Sequence, residues 1–157
     1  MTRPLHSGDP PSAEVLFPAA GKRSTFALSH DGRQLLVLST SRTEIVFDEM
    51  TLVDLTTGAS RRITTHGTRL FNADFDPTGR YIVTGSHDGI VRVGPVTGEE
   101  PHLLVGHTGL VESLAVSADG LWIASAADNQ LFVLSRVLPR FSFPRALFRH
   151  VPPASRR

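Results

Sequence analysis

A self-similarity with a period in the low forties is the strongest constraint this sequence places on its fold, because a period of that length dictates a stack of like units. Residues 103–120, LLVGHTGLVESLAVSADG, lie on residues 15–32, VLFPAAGKRSTFALSHDG, without a gap. The two segments share Gly109/Gly21, Ala115/Ala27, Ser117/Ser29 and the closing Asp119-Gly120/Asp31-Gly32. Between them, residues 66–79, HGTRLFNADFDPTG, lie on residues 107–120 at a spacing of 41. The glycines that follow the turns are Gly32, Gly79 and Gly120, which gives steps of 47 and 41 and three units.

Inside each unit the apolar runs are short and bounded by turn residues, as in QLLVLS at 34–39, RYIVT at 80–84 and LWIAS at 121–125. That is the pattern of strands, and no helical period competes with it. The middle unit predicts strands over 72–76, 81–85, 90–93 and 102–105, separated by turns at Pro77-Thr78-Gly79, His87-Asp88-Gly89 and Thr97-Gly98. Four short antiparallel strands leave two edges and two faces. Such units bury their faces only by stacking on one another.

With these residues in place the chain resembles the WD-repeat β-propeller family, whose units run from a Gly-His pair to a Trp-Asp pair. The resemblance rests on Gly106-His107, on VESLAVSADG at 111–120, on Trp122-Ile123-Ala124-Ser125, and on the VTGSHDGIVRV hairpin at 83–93. It implies an all-β fold of stacked four-stranded antiparallel blades, a partial propeller of about three blades whose ring one chain does not close. Known propellers have about four to eight blades. We therefore expect a piece of a larger bacterial propeller. The expected divisions are a linker at 1–13, blades over 14–135 (at about 14–65, 66–105 and 106–150), and a basic tail at 136–157 that includes a last outer strand at 143–149.

The family's buried network joins a histidine, a Ser or Thr on the second strand, an Asp in the following turn and the Trp on the third strand. Carried onto this chain, the middle unit offers His66, Thr84 and Asp88 but has Gly94-Pro95 where Trp-Asp would stand. The third offers His107, Ser125 and Asn129 (or Asp128) and has Ser135-Arg136 at the dipeptide. In the first unit only Asp54 remains. Each missing aromatic should weaken its blade by about 3–5 kcal/mol of lost packing.

Candidate chemistry is sparse. Asp88 beside His87 could set an imidazole's basicity, but Asp-Gly between two strands is first a hairpin turn. His66 and His107 recur because the repeat recurs, and no partner stands at zinc-ligand spacing. Absence of cysteine removes disulfides, thiolate metal sites and thiol nucleophiles. No nucleophile elbow, dinucleotide loop or phosphate loop occurs. We expect no catalytic residues, no cofactor and no metal.

The resemblance implies a binding role, with loops gathered on one face. Those loops would present Lys22, Arg23, Arg42, Arg69, His87 and Leu110 to a protein partner. The first unit carries seven extra residues within 40–49, which lengthen a loop on the same face and read first as a tolerated insertion. Two copies of three blades could also make one six-bladed ring, a homodimer. The tail, with Arg136, Arg140, Arg145, Arg149, Arg156 and Arg157 among Phe141, Phe143 and Phe148, could bind phosphate backbones. A formal net charge of +1 with no upstream basic stripe argues against nucleic acid as the main partner. No apolar run approaches the ~18 residues of a membrane span, and the opening residues lack a signal peptide's apolar stretch. The expectation is a cytoplasmic protein with no membrane partner.

Overall fold

A computed structural model describes residues 23–40, 46–127, 130–135 and 148–150; side chains are described at 24–40 and 46–127. The first sheet contains β1 (Arg23–Leu28), β2 (Gln34–Thr40), β3 (Glu49–Asp54) and β4 (Ser60–Arg62). The second contains β5 (Leu70–Phe75), β6 (Tyr81–Ser86), β7 (Ile90–Pro95) and β8 (His102–Val105). The third contains β9 (Val111–Val116), β10 (Trp122–Ala127), β11 (Gln130–Ser135) and β12 (Phe148–His150). Each is an antiparallel meander in which neighbours in sequence are neighbours in the sheet. The protein is all-β, three blades of a partial propeller whose ring stays open.

Local chemistry fixes the turns. In the first sheet Ser29 Oγ donates to Asp31 at 2.7 Å and accepts from the Gln34 N–H at 2.9 Å, and Gly32 takes φ 68°. The third sheet repeats this, with Ser117 Oγ donating to Asp119 at 2.5 Å, accepting from Trp122 N–H at 2.9 Å, and Gly120 at φ 69°. The second sheet reaches the same turn by another route. Asp76 accepts from the N–H groups of Thr78, Arg80 and Tyr81, and Gly79 again sits at φ 68°.

Stacking supplies the core, as period-two burial requires. Calling the side of a sheet toward the next sheet its forward face, Leu36, Leu38, Met50 and Leu52 of the first sheet pack on Phe75 and Ile82 of the second, with Ile63 and Leu70. Val83, Val91 and Val93 of the second sheet then pack on Val111 and Ile123 of the third. Gly85 belongs to that second junction. A Cβ there would lie 2.7 Å from both Val111 Cγ1 and Asn72 Oδ1, so the missing side chain is what admits Val111.

Three particulars differ from the sequence reading. β5 begins at Leu70, two residues earlier than expected, because Leu70 pairs with Ser86 across a bulge and exchanges both main-chain hydrogen bonds with Phe47, at 2.7 and 2.8 Å. That bridge belongs to the extra residues of the first unit. Val46 is buried and Phe47 packs against the first core, so this end of the insertion fastens the first sheet to the second. The third difference concerns the absent Trp. At Gly94 a Cβ would stand 2.7 Å from His66 Nε2 and 2.9 Å from Pro101 Cβ. The histidine ring and the proline stand where the first atom of that side chain would be. At the C-terminal end β12 pairs with β11 through Phe132↔His150, Val133↔Arg149 and Leu134↔Phe148. Residues 143–147 and the rest of the expected tail lie outside the described residues, as does the linker at 1–13.

Candidate functional site: a loop face with a buried histidine network beneath it

The loop between β4 and β5 turns at Gly67, φ 78°, whose N–H donates to Thr64 O at 3.3 Å. It ends at Arg69, whose φ of 58° is the single left-handed conformation of a non-glycine residue among those described. Such a backbone costs of order 1 kcal/mol or more and persists only where its surroundings impose it. Here the Arg69 carbonyl accepts the His87 N–H at 3.0 Å, which joins this loop to the β6–β7 turn. That turn in turn touches the loop between β8 and β9. Gly89 has φ 78°, and a Cβ on it would lie 2.9 Å from the carbonyl oxygens of His107 and Gly109. The loops that enter and leave the second sheet therefore meet at its own β6–β7 turn, with Arg69 and His87 exposed and Leu110 half-buried.

Arg92 underlies the junction. Its guanidinium donates to Asp88 Oδ2 at 2.6 Å and to Ser86 Oγ at 2.8 Å, and passes within 4 Å of where a Gly67 Cβ would be. Asp88 also accepts from Ser86 Oγ and, at 3.0 Å, from the Ile90 N–H. Partial burial pushes the Asp88 carboxyl up, but its hydrogen bonds from Arg92 and Ser86 outweigh this and hold it at about 2. These contacts correct the expected network. Asp88 is bonded to Arg92 and Ser86 rather than to His66, because a strand-borne guanidinium four residues on competes for the carboxylate and wins. Asp88 makes no hydrogen bond to the His87 ring either, its bonds running to Ser86, Ile90 and Arg92 within its own hairpin.

Beneath the loops, His66 Nδ1 lies 2.9 Å from Thr84 Oγ1. His66 is only 1% exposed, and its Nε2 has no hydrogen-bond partner. Burial, with the nearby Arg92 charge, lowers its pKa from 6.5 to about 4, so the ring is neutral at pH 7. In the third sheet His107 Nε2 lies 2.7 Å from Ser125 Oγ, and burial lowers its pKa as well. Asn129, proposed as a further member there, lies outside the described residues, as do Lys22 and Arg42. Arg23 opens β1 by pairing with Thr40, and only its backbone is described. The structure thus brings Arg69, His87 and Leu110 to one face. Sequence reasoning missed Arg92 and the packing role of Gly89; the Asp-to-Arg spacing of four across a tight turn is the signal that could have found the first.

Among the described residues no group of three or more His, Asp or Glu could hold a metal ion, and no helix is long and apolar enough to cross a membrane. The family described as "WD domain, G-beta repeat" matches twice, at residues 59–93 and 98–134. This chain carries WD40 repeats. Each match starts on or just before the outer strand of one sheet and runs through the first three strands of the next, β4 to β7 and then β8 to β11, so every repeat straddles a junction between blades. The chain is also similar to the meiotic recombination protein rec14 of Schizosaccharomyces pombe, 36% identical over 66 residues. That stretch is 41% of this chain and 22% of that protein, so the chain matches about a fifth of the relative's length.

Proposed function

We propose that this chain is a non-enzymatic interaction module whose loop face, with Arg69, His87 and Leu110 at its centre, contacts a protein partner. WD40 repeats are in general protein-interaction scaffolds, which supports the class of function. The observation that carries the reading is the junction of the three loops: Arg69 held left-handed by the His87 N–H, and Gly89 set against the His107 and Gly109 carbonyls. A surface fixed this way loses little entropy on binding, which favours affinity. Arg is also a residue type enriched among the few that dominate binding energy.

The test is quantitative capture with the wild-type chain, with an Arg69→Glu/His87→Ala/Leu110→Glu variant, and with an Arg80→Glu control on the opposite edge. Proteins retained by wild type and control and lost from the triple variant are the expected result. Identical capture by all three would remove the loop face as the contact surface. Turnover of a hydrolase substrate that disappears with His87→Ala would overturn the non-enzymatic reading altogether.

A further inference from the structure

The β1–β2 part of the first sheet's rear face is apolar and exposed, while Val53, on the same face across from Leu35, is buried. Phe26 is 73% exposed and Leu28 54% exposed, and Leu35 and Val37, paired with them across β1 and β2, are half-buried on the same side. The second sheet shows what belongs on such a face. Phe75, paired with Ile82 as Leu28 is with Leu35, is 4% exposed because the first sheet packs on it. Among the described side chains of the third sheet, those of β9 and β10 on the forward face are also open. Trp122, the chain's single tryptophan, is 45% exposed on the forward side of β10, with Ala124 and Ala126 following at period two and Ala115 and Ser113 paired beside them.

The two open faces are complementary in bulk. Along the second strand one forward position shrinks from Leu36 to Val83 to Ala124, the next is Leu38 and then the small Gly85 and Ala126, and the large Trp122 stands at the end of the third sheet's face. The rear positions are largest on the first sheet. There Phe26 and Val37 stand where the second sheet has Ala73 and Thr84 and the third has Leu114 and Ser125. No rear-face hydroxyl pairs with a histidine at that position of the first sheet, since Val37 replaces it. Large residues meeting small ones is how facing layers interdigitate, and Gly85, which admits Val111, is the same device at an internal junction.

We propose that the occupant of the Phe26 face is the Trp122 face of a second copy of this chain, in the same head-to-tail sense as the junctions between its own sheets. Two such contacts join two copies in a closed pair of six sheets, within the range of known propellers. The contact uses sheet faces, not loops, and stands or falls independently of the loop-face reading.

Trp122 reports on the contact without a label. The experiment measures absolute mass by light scattering and tryptophan emission of the full chain across a concentration series, with circular dichroism to verify folding. The expected result is a rise from 17.0 kDa to twice that mass, with a blue shift of Trp122 emission at the same midpoint. Phe26→Glu and Ala115→Glu each place a charge on one of the two faces at an exposed position, so both should stay folded. Each should raise the dissociation constant by about 100-fold or more. An equimolar mixture of the two variants restores one intact contact of the two and should recover part of the association. A monomer at every concentration with constant emission overturns the proposal and leaves the face to a sheet from another source. A dimer lost with Phe26→Glu yet indifferent to Ala115→Glu overturns it too, since the Phe26 faces would then pair with each other.

Discussion

His66 and His107 hold the same place in consecutive repeats, each eighteen residues before the hydroxyl it contacts, yet they are built into their sheets differently. His66 uses Nδ1 to meet Thr84 and turns Nε2, without a partner, toward Gly94 and Pro101. His107 uses Nε2 to meet Ser125 and is more open, at 8% against 1%. The matching position of the third sheet, Ser135, also lacks an aromatic, and what marks the second sheet is the glycine at position 94. Without a side chain there, the His66 ring stands where the first atom of one would be, and one polar atom is left in an apolar setting. The second sheet gains packing and gives up a hydrogen bond. A repeat protein can thus keep a motif's spacing while changing what the motif does.

The sharpest way to break this comparison is to put the family's residue back. Gly94→Trp should destabilise the protein by about 3 kcal/mol or more, because its Cβ alone would collide with the His66 ring and Pro101. A denaturant midpoint at or above wild type would show that the ring moves aside freely. Next comes acid. His66 is held at about 4 in the folded chain against 6.5 when free, so the unfolded state takes up its proton first and stability falls as pH drops from 6.5 to 4. At about 1.4 kcal/mol per unit the loss approaches 3 kcal/mol, and it is fully regained above pH 6.5. Urea unfolding of His66→Gln at pH 7 and pH 4.5 should show most of that slope gone. His107, lowered in the same direction, contributes a smaller loss over the same range.

Truncation separates the two sites further. His66→Ala should cost about 2 kcal/mol, a cavity and an abandoned Thr84 hydroxyl offset in part by removing the orphaned Nε2. His107→Ala should cost about 1 kcal/mol, since its site is more accessible to water. Equal costs by chemical denaturation would mean that position 94 does not set the difference. The smallest effect is expected for Asp88→Asn, about 1 kcal/mol or less, because the ion pair with Arg92 is half exposed on the carboxylate side. Asp88 acts in a separate acid window, its contribution being lost as pH falls from 3.8 toward 2.

Local features were the most legible. Gly32, Gly79 and Gly120 take φ within a degree of one another, though the second turn is built on Asp76 rather than on a serine, because each positive φ is demanded by residues within five positions. The all-β stack could be read from the same spacing. What could not be read depends on register and on contact between sheets. Arg92 reaches Asp88 only because the β6–β7 hairpin brings the strand back under its own turn. Phe47 reaches Leu70 only because two sheets are already stacked. What stands where the first atom of a side chain at position 94 would be likewise depends on Pro101, seven residues away on the next strand's approach, and no motif encodes that.

The bridge between Phe47 and Leu70 bears on how far the three sheets are interchangeable. Replacing the first sheet by a duplicate of the second would match strand count, turn type and face polarity. It would also delete the segment carrying Val46 and Phe47, because the β6–β7 hairpin is a tight turn with no counterpart to it. Leu70 would then begin its strand with an N–H and a carbonyl facing an unfilled edge. The first sheet is therefore a dedicated neighbour of the second, and a cassette exchange at this boundary has to carry residues 46–47 along with the strands.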